Sequence, residues 1–363
     1  MNDSAIKKLD GNFEGQSAGD GVAWTDAREL TLEGRGFAEA GHPYDRLPAT
    51  SRGRVSDAVW SLQQHSAGMC VRFVTDSPTV DVRWRLRFSE LGMSHMPATG
   101  VSGVDLYAAA GGRLRFAGIG IPSSFPENTA RLPGSQDGRP CTFQLYLPLY
   151  NGVDSVEIAV SPGSALGPAA SEGAGEKRPI CFYGTSITQG GCASRPGMAC
   201  PAIVGRFAGH PIINLGFSGS ARAEPELALL LARLDPAAYV LDSLPNMETT
   251  SVAERMEGMV QTLRVAHPRT PIVLVEHIRP TRLRRLEEAA SSAGWEQSNV
   301  ELRGVFSRHQ AADQAVQLVP WQELLGDDEE ATVDGIHPTD LGFARMASPI
   351  AAAVTSLLRR RQA

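Results

Sequence analysis

Five cysteines in 363 residues, none in a Cys-x-x-Cys pair, argue against a disulfide framework and against a zinc knuckle. No apolar run reaches the ~18 residues that a membrane-spanning helix requires. Positive charge is not in excess: 34 Lys and Arg stand against 40 Asp and Glu, a net charge of −6. A nucleic-acid partner would need a basic face that this balance does not supply. The stretch Met1–Gly21 is polar and lacks an apolar core of the signal-peptide kind. Also missing are a Gly-x-Gly-x-x-Gly dinucleotide loop, a phosphate-loop lysine and a His-Glu-x-x-His pair. These absences lead us to expect a cytoplasmic protein with reduced thiols, no cofactor and no metal, acting without nucleic acid or membrane as partner.

The chain is long enough for two domains, and its patterning changes partway along. Up to residue 162 the text is β-like, and helical periodicity is nearly absent. Thr79–Leu86 alternates, with Val80, Val82, Trp84 and Leu86 on one face and Asp81, Arg83 and Arg85 on the other. Residues 103–109 and 113–117, separated by Gly111-Gly112, read as a hairpin. Trp60-Ser-Leu62 reads as a short alternating piece. Many short strands with turn signals between them predict an all-β sandwich or jelly roll. Residues 163–178, rich in Pro, Gly, Ser and Ala, read as a linker. From 179 to 363 strands alternate with helical patterns, at Ile180–Tyr183, 211–215, Ala238–Leu241, Ile272–Val275 and 315–319. That grammar predicts a parallel sheet with helices on both faces.

Two stretches of the second half carry chemistry. In Pro179–Cys192 the apolar run Ile180–Tyr183 ends at Gly184, and Ser186 follows two residues later. A serine just past a buried strand lies at the sheet's carboxyl edge, where open α/β sheets bind ligands. Taken alone, such a serine is more often a helix cap than a nucleophile. Far downstream, Asp334 and His337 stand three apart, with Gly335 between them and Pro338 behind. Both can turn toward one point, the carboxylate holding the imidazole. A serine hydroxyl needs such a base before it attacks. The alternative is a capping Asp beside a surface His. His65 and His95 are lone histidines, read as structural. Arg195 reads as a solvated surface residue, with contact to an acidic group as the other possibility. Glu276-His277 reads as a capping or packing pair, with a place in the substrate cleft as the other possibility.

These stretches together resemble the SGNH (GDSL-type) hydrolases. Gly184-Thr185-Ser186-Ile187 stands where the family has Gly-Asp-Ser-Leu, Asn214-Leu-Gly-Phe-Ser-Gly219 resembles its second block, and Leu241-Asp-Ser-Leu-Pro-Asn246 its third. Asp334-Gly-Ile-His337 matches the last, and all four occur in the family's order. The resemblance implies a flavodoxin-like parallel sheet, with Ser186 as nucleophile, His337 as base and Asp334 as its partner. It implies an oxyanion hole from the Ser186 and Gly219 amides and the Asn246 side chain. Thr185 departs from the family's Asp, and a Pro precedes Asn246 where a Gly is usual. Gly103-Val-Asp105-Leu-Tyr107 is similar to the Gly-x-Asp-Leu-Tyr motif of a β-domain found ahead of some of these enzymes; Asp105 and Tyr107 read as a polar pair within the hairpin, and the alternative is a β-domain that contacts the catalytic one, leans over its active face and shapes the pocket. The implied activity is acyl transfer to or from a hydroxyl of a small molecule, polyketide-like or sugar. We lean to an acyltransferase; an O-acyl esterase is the alternative and a non-catalytic carbohydrate-binding protein the weakest reading.

Overall fold

The structure, a computed structural model of the chain, describes residues 23–169, 177–281, 294–312 and 315–362. The basic cluster Arg282, Arg284 and Arg285 and the middle of the expected linker lie outside these residues. The first unit opens with β1 (Thr25–Asp26), β2 (Thr31–Glu33), α1 (Asp57–Leu62), β3 (Cys70–Thr75), β4 (Thr79–Leu86) and α2 (Ala98–Val101). It continues through β5 (Val104–Ala110), β6 (Arg113–Gly120), β7 (Glu127–Pro133), β8 (Cys141–Tyr146), β9 (Val153–Val160) and β10 (Leu166–Pro168). Two antiparallel sheets form. One runs β1-β9-β4-β7; the other runs β10-β3-β8-β5-β6, with β2 also on β3. The alternation seen in the sequence fills the space between them: Val80, Val82, Trp84 and Leu86 pack with Phe73, Phe143, Leu145 and Ile158. Gly111 and Gly112 both take positive φ, 59° and 73°, so the β5–β6 hairpin turns where the glycines predict.

The second unit holds β11 (Ile180–Gly184), α3 (Ser186–Gln189), α4 (Cys200–Ala208), β12 (Ile212–Gly216), α5 (Pro225–Leu231) and β13 (Ala238–Asp242). It closes with α6 (Thr249–Ala266), β14 (Ile272–Val275), α7 (Trp295–Ala312), β15 (Val316–Val319) and α8 (Asp340–Gln362). Its five strands are all parallel, in the order β12-β11-β13-β14-β15. Alternate residues of each strand feed two cores. Ile180, Phe182 and Val240 face α4 and α8, whereas Cys181, Tyr183, Tyr239 and Leu241 face α5, α6 and α7. Helix α8 is apolar and long enough to cross a membrane, but Phe343, Met346, Ile350, Val354 and Leu357 are buried in the first of these cores.

Two expectations change. Trp60 and Leu62 lie in helix α1, which Ser56 caps by accepting the Val59 N–H at 3.3 Å. Ser56-Asp57 is a helix-start signal that outweighs the two-residue alternation. The linker begins later than 163, because Leu166–Pro168 pairs with Thr75, Val74 and Phe73 as strand β10. Contact between the two units, by contrast, is as expected, and it extends to shared cores. Phe37, Leu47, Val55 and Val59 are buried in the core of the parallel sheet with Tyr183, Ile213 and Leu241. Arg46, 1% exposed, anchors that crossing: Nη1 donates to the carbonyls of Asn214 (3.1 Å) and Gly216 (2.7 Å), and Nη2 to that of Leu62 (2.6 Å). Ala67, Met96, Val101 and Leu149 enter the opposite core.

Candidate active site

Strand β11 delivers the serine. Thr185 caps the one-turn helix α3, its hydroxyl accepting the Ile187 N–H at 3.2 Å, and Ser186 is the first helical residue. Gly190, at φ 108°, ends the turn. The carboxyl edges of the flanking strands are tied to this one: the Phe217 N–H donates to the Gly184 carbonyl (2.8 Å) and the Thr185 N–H to the Asp242 carbonyl (3.2 Å). Ser186 is 8% exposed.

The base arrives on the loop before α8. Gly335, at φ 92°, provides its left-handed turn, and the Val333 N–H donates to the His337 carbonyl at 2.8 Å. Asp334 folds back on the loop: Oδ1 accepts the N–H groups of Ile336 (3.0 Å) and His337 (2.8 Å). Its other oxygen, Oδ2, lies 2.7 Å from His337 Nδ1, and His337 Nε2 lies 2.9 Å from Ser186 Oγ. Burial alone would raise the Asp334 carboxyl, but the backbone and ring N–H of His337, with the Ile336 N–H, hold it at about 2. An ionised carboxylate only accepts, so Nδ1 carries the proton and Nε2 presents its lone pair to the serine. The three residues separated by up to 151 positions thus form one hydrogen-bonded row.

Gly219 lies on the loop after β12 at φ 65°, and a side chain there would meet nothing within 4 Å. Asn246 ends a single turn of 3-10 helix after β13, and its side-chain amide approaches the Phe217 carbonyl at 3.5 Å. The loops bearing Ser186, Gly219 and Asn246 therefore meet at the carboxyl edge of the sheet, as the block order implies. Cys192, three residues past Gln189, has φ 73°; burial, then the Asp334 charge, pushes its thiol up to about 11, so it stays protonated. Among the described residues no three His, Cys, Asp or Glu side chains are grouped to hold a metal ion.

Several side chains read as bland from the sequence are not. Asp105 and Tyr107 do not pair within their hairpin; they reach into the second unit. The fully buried Asp105 carboxylate takes Arg195 Nη1 at 2.5 Å and the Gly197 N–H at 3.0 Å, and the same Arg195 nitrogen donates to the Tyr107 hydroxyl at 2.7 Å. Arg195 is accordingly no surface residue: its side chain is 18% exposed and lies 4.0 Å over the Phe116 ring. His65 and Tyr150, from the first unit, stand behind the nucleophile. The Tyr150 hydroxyl is 3.4 Å from the Ser186 carbonyl. His95 occupies the tip of a tight turn closed by Met93 and Met96, with its ring 6.0 Å from that of His337. A lone histidine gives the sequence no signal of such a place. Glu276 and His277 stay structural: Glu276 is fully buried and bonded to Arg303 at 2.6 Å, and His277 Nδ1 meets the Ile278 carbonyl at 2.6 Å.

Residues 177–355 match the model of the GDSL-like lipase/acylhydrolase family, and residues 22–166 match that of the GxDLY N-terminus of SGNH-hydrolase-type esterases. A Bacteroides ovatus protein assigned as a GDSL-like lipase is 32% identical over 93% of this chain and 98% of its own, with a TM-score of 0.84. The salicylyl-acyltransferase SsfX3 from a tetracycline biosynthetic pathway shares the fold at 18% identity and TM-score 0.76, covering 94% of this chain and 98% of its own. A family 2 carbohydrate esterase from Cellvibrio japonicus does so at 10% identity and TM-score 0.58, covering 95% and 99%. No curated protein sequence matches the chain.

Proposed function

We propose that this chain, which belongs to the GDSL-like lipase/acylhydrolase family, moves an acyl group to or from a hydroxyl of a small molecule through an acyl-serine intermediate. The observation that carries the reading is the row Ser186 Oγ–His337 Nε2 at 2.9 Å and His337 Nδ1–Asp334 Oδ2 at 2.7 Å. In the first half-reaction the Ser186 oxygen attacks the acyl carbonyl as its proton passes to Nε2. Asp334 keeps the ring in the reactive tautomer and stabilises the imidazolium. Negative charge develops on the carbonyl oxygen, and the amides of Ser186 and Gly219 with the Asn246 side chain are the donors offered to it. As the tetrahedral intermediate collapses, Nε2–H protonates the departing oxygen or sulfur. In the second half an acceptor O–H gives its proton to Nε2 as its oxygen bonds the acyl carbon; the acyl–Oγ bond then breaks, and Nε2–H returns the proton to Ser186.

We favour an alcohol over water as that acceptor. His95 comes from the first unit and stands beside the row, and a wall over a reacting serine raises the effective concentration of a bound alcohol relative to water. SsfX3, a salicylyl-acyltransferase from a tetracycline pathway, is the fold relative that suggests a polyketide-like acceptor; the carbohydrate esterases suggest a sugar ester and hydrolysis. The test incubates the protein with acyl esters and acyl thioesters, with and without an alcohol, and weighs the products. An acylated alcohol together with an acyl adduct on Ser186 supports transfer. Free acid alone, at any alcohol concentration, gives the esterase. No adduct and no turnover leaves a binding protein.

A further inference from the structure

Gln189, at the end of the nucleophile's own helix, is fully buried and contacts three parts of the chain. Its orientation follows from its partners. The Ser218 N–H, 3.1 Å away, can only donate, so Oε1 faces it. The Leu149 carbonyl, 3.1 Å from Nε2, can only accept. The second N–H of Nε2 therefore goes to His65 Nδ1, at 3.0 Å, which must present a lone pair. His65 satisfies that demand throughout the working pH range: burial, then the charges of Arg46 and Arg87, lower its pKa to about 3. The imidazole is neutral with its proton on Nε2.

Ser218 directly precedes Gly219 on a turn that the Ser220 and Ala221 N–H groups close on the Phe217 carbonyl, at 3.0 and 3.1 Å. Gly219 carries no side chain, takes φ 65° and faces open space. An oxyanion donor contributes only if it is aimed before charge develops. The Ser218 N–H to Gln189 Oε1 bond fixes the backbone one residue ahead of the Gly219 amide. Both of the groups that orient Gln189, His65 and the Leu149 carbonyl, belong to the first unit. Tyr150 adds a second hold from the same side, toward the Ser186 carbonyl at 3.4 Å and the Ser218 side chain.

We propose that His65 and Gln189 are positioning residues: they form a relay through which the β-domain sets the loop that carries the Gly219 amide of the oxyanion hole. The inference rests on the serine reading above and adds to it that the β-domain acts on the transition state, not only on substrate access. Neither residue touches the substrate. Loss of the relay therefore weakens transition-state stabilisation and leaves ground-state binding nearly unchanged.

The experiment compares full-length wild type, Gln189→Met, His65→Leu and Ser186→Ala on 4-nitrophenyl acetate, with phenylboronic acid as a tetrahedral-adduct probe. Gln189→Met should lower kcat about 10-fold to 10²-fold, the range for an ångström-scale misplacement in an active site. KM should change less than about threefold, and the affinity for the boronic acid should fall by the same factor as kcat. His65→Leu should do the same to a smaller degree, and it stands alone as the test where Gln189→Met does not fold. A folded Gln189→Met, or failing that a folded His65→Leu, with kcat within about twofold of wild type overturns the relay. So does a raised KM at unchanged kcat, which makes the residue a binding contact. Turnover surviving in Ser186→Ala defeats the serine reading itself; an inactive Ser186→Ala beside a fully active relay variant defeats the relay alone.

Discussion

Cutting the chain after the linker is the natural way to ask what the β-domain does, and the packing says that the product will not fold. A fragment of residues 177–363 loses Phe37, Leu47, Val55 and Val59 from the core that also holds Tyr183, Ile213 and Leu241. Each buried side chain of this size is worth roughly 1.5–3 kcal/mol, so the four together amount to about 6–12 kcal/mol. The fragment also loses the Arg46 guanidinium from the carbonyls of Asn214 and Gly216. Net stabilities of whole domains are only about 5–15 kcal/mol, so the deficit is comparable with everything available. The assay is near-ultraviolet circular dichroism and urea unfolding of the fragment beside the full chain. We expect no cooperative transition. A single substitution reports the same contact without the cut: Leu47→Ala should cost about 2–5 kcal/mol, read as a lower urea midpoint. A fragment that unfolds cooperatively at the full-length midpoint would refute the shared core. If it folds, the boundary near residue 178 is a domain boundary in the thermodynamic sense, and the β-domain is an addition to a complete enzyme.

Asp334→Asn should lower kcat by up to about 10⁴-fold by favouring the wrong imidazole tautomer, with fluorophosphonate labelling slowed in parallel. The same substitution should remove an acid-sensitive part of the stability. Because the folded carboxyl sits at about 2, below its unfolded value, its contribution is complete above about pH 4 and disappears as pH falls toward 2. Unfolding curves of wild type and variant should converge there. Asn246→Ala should cost about 10²-fold to 10³-fold in kcat with little change in KM; a raised KM at normal kcat would make Asn246 a substrate contact. Asp105→Ala strands the Arg195 charge at the junction of the two units and should cost about 3–5 kcal/mol in urea unfolding, with the Asp105→Ala/Arg195→Met double variant less affected. His95→Ala, at an exposed turn tip, should lower acyl transfer to an alcohol more than hydrolysis of 4-nitrophenyl acetate; equal losses would deny it a role with the acceptor.

What could be read from the sequence was local or periodic. Strands β11, β13 and β14 show as four-residue apolar runs because both of their faces are buried, and the triad candidates show because each has a motif. Strand β7 went unread because its inward residues are Asn128, Ala130 and Leu132, which form no apolar alternation. Helix α4 went unread although Pro201 near its start and Gly209, at φ 67°, after its end mark it. The relations between the units had no local signal at all. Phe37, Leu47 and Arg46 look like any β-domain residues until the chain crosses to the sheet. The Asp105–Arg195 pair joins positions 90 apart, and the His65–Gln189 pair joins positions 124 apart. A polar residue's partner across such a distance is a property of the packed chain, and composition and period carry no trace of it.

Position 185 shows how a departure from a motif can leave its geometry standing. Thr185 supplies what the start of a helix needs, a side-chain oxygen on the Ile187 N–H, and Asp would supply the same acceptor with a charge. Thr185 is fully buried, so that charge would need further donors around it. A carboxyl is already buried in the neighbouring strand. Burial pushes Asp242 up to about 7, against the Thr188 hydroxyl that donates to it at 2.9 Å. The end of strand β11 and the strand bearing Asp242 are joined there by the Thr185 N–H to Asp242 carbonyl bond. A second acid at 185 would add another buried charge to a strand edge where one is already barely held. Threonine keeps the cap and avoids that cost, so the serine one residue later is presented at the same place without the aspartate that gives the motif its name.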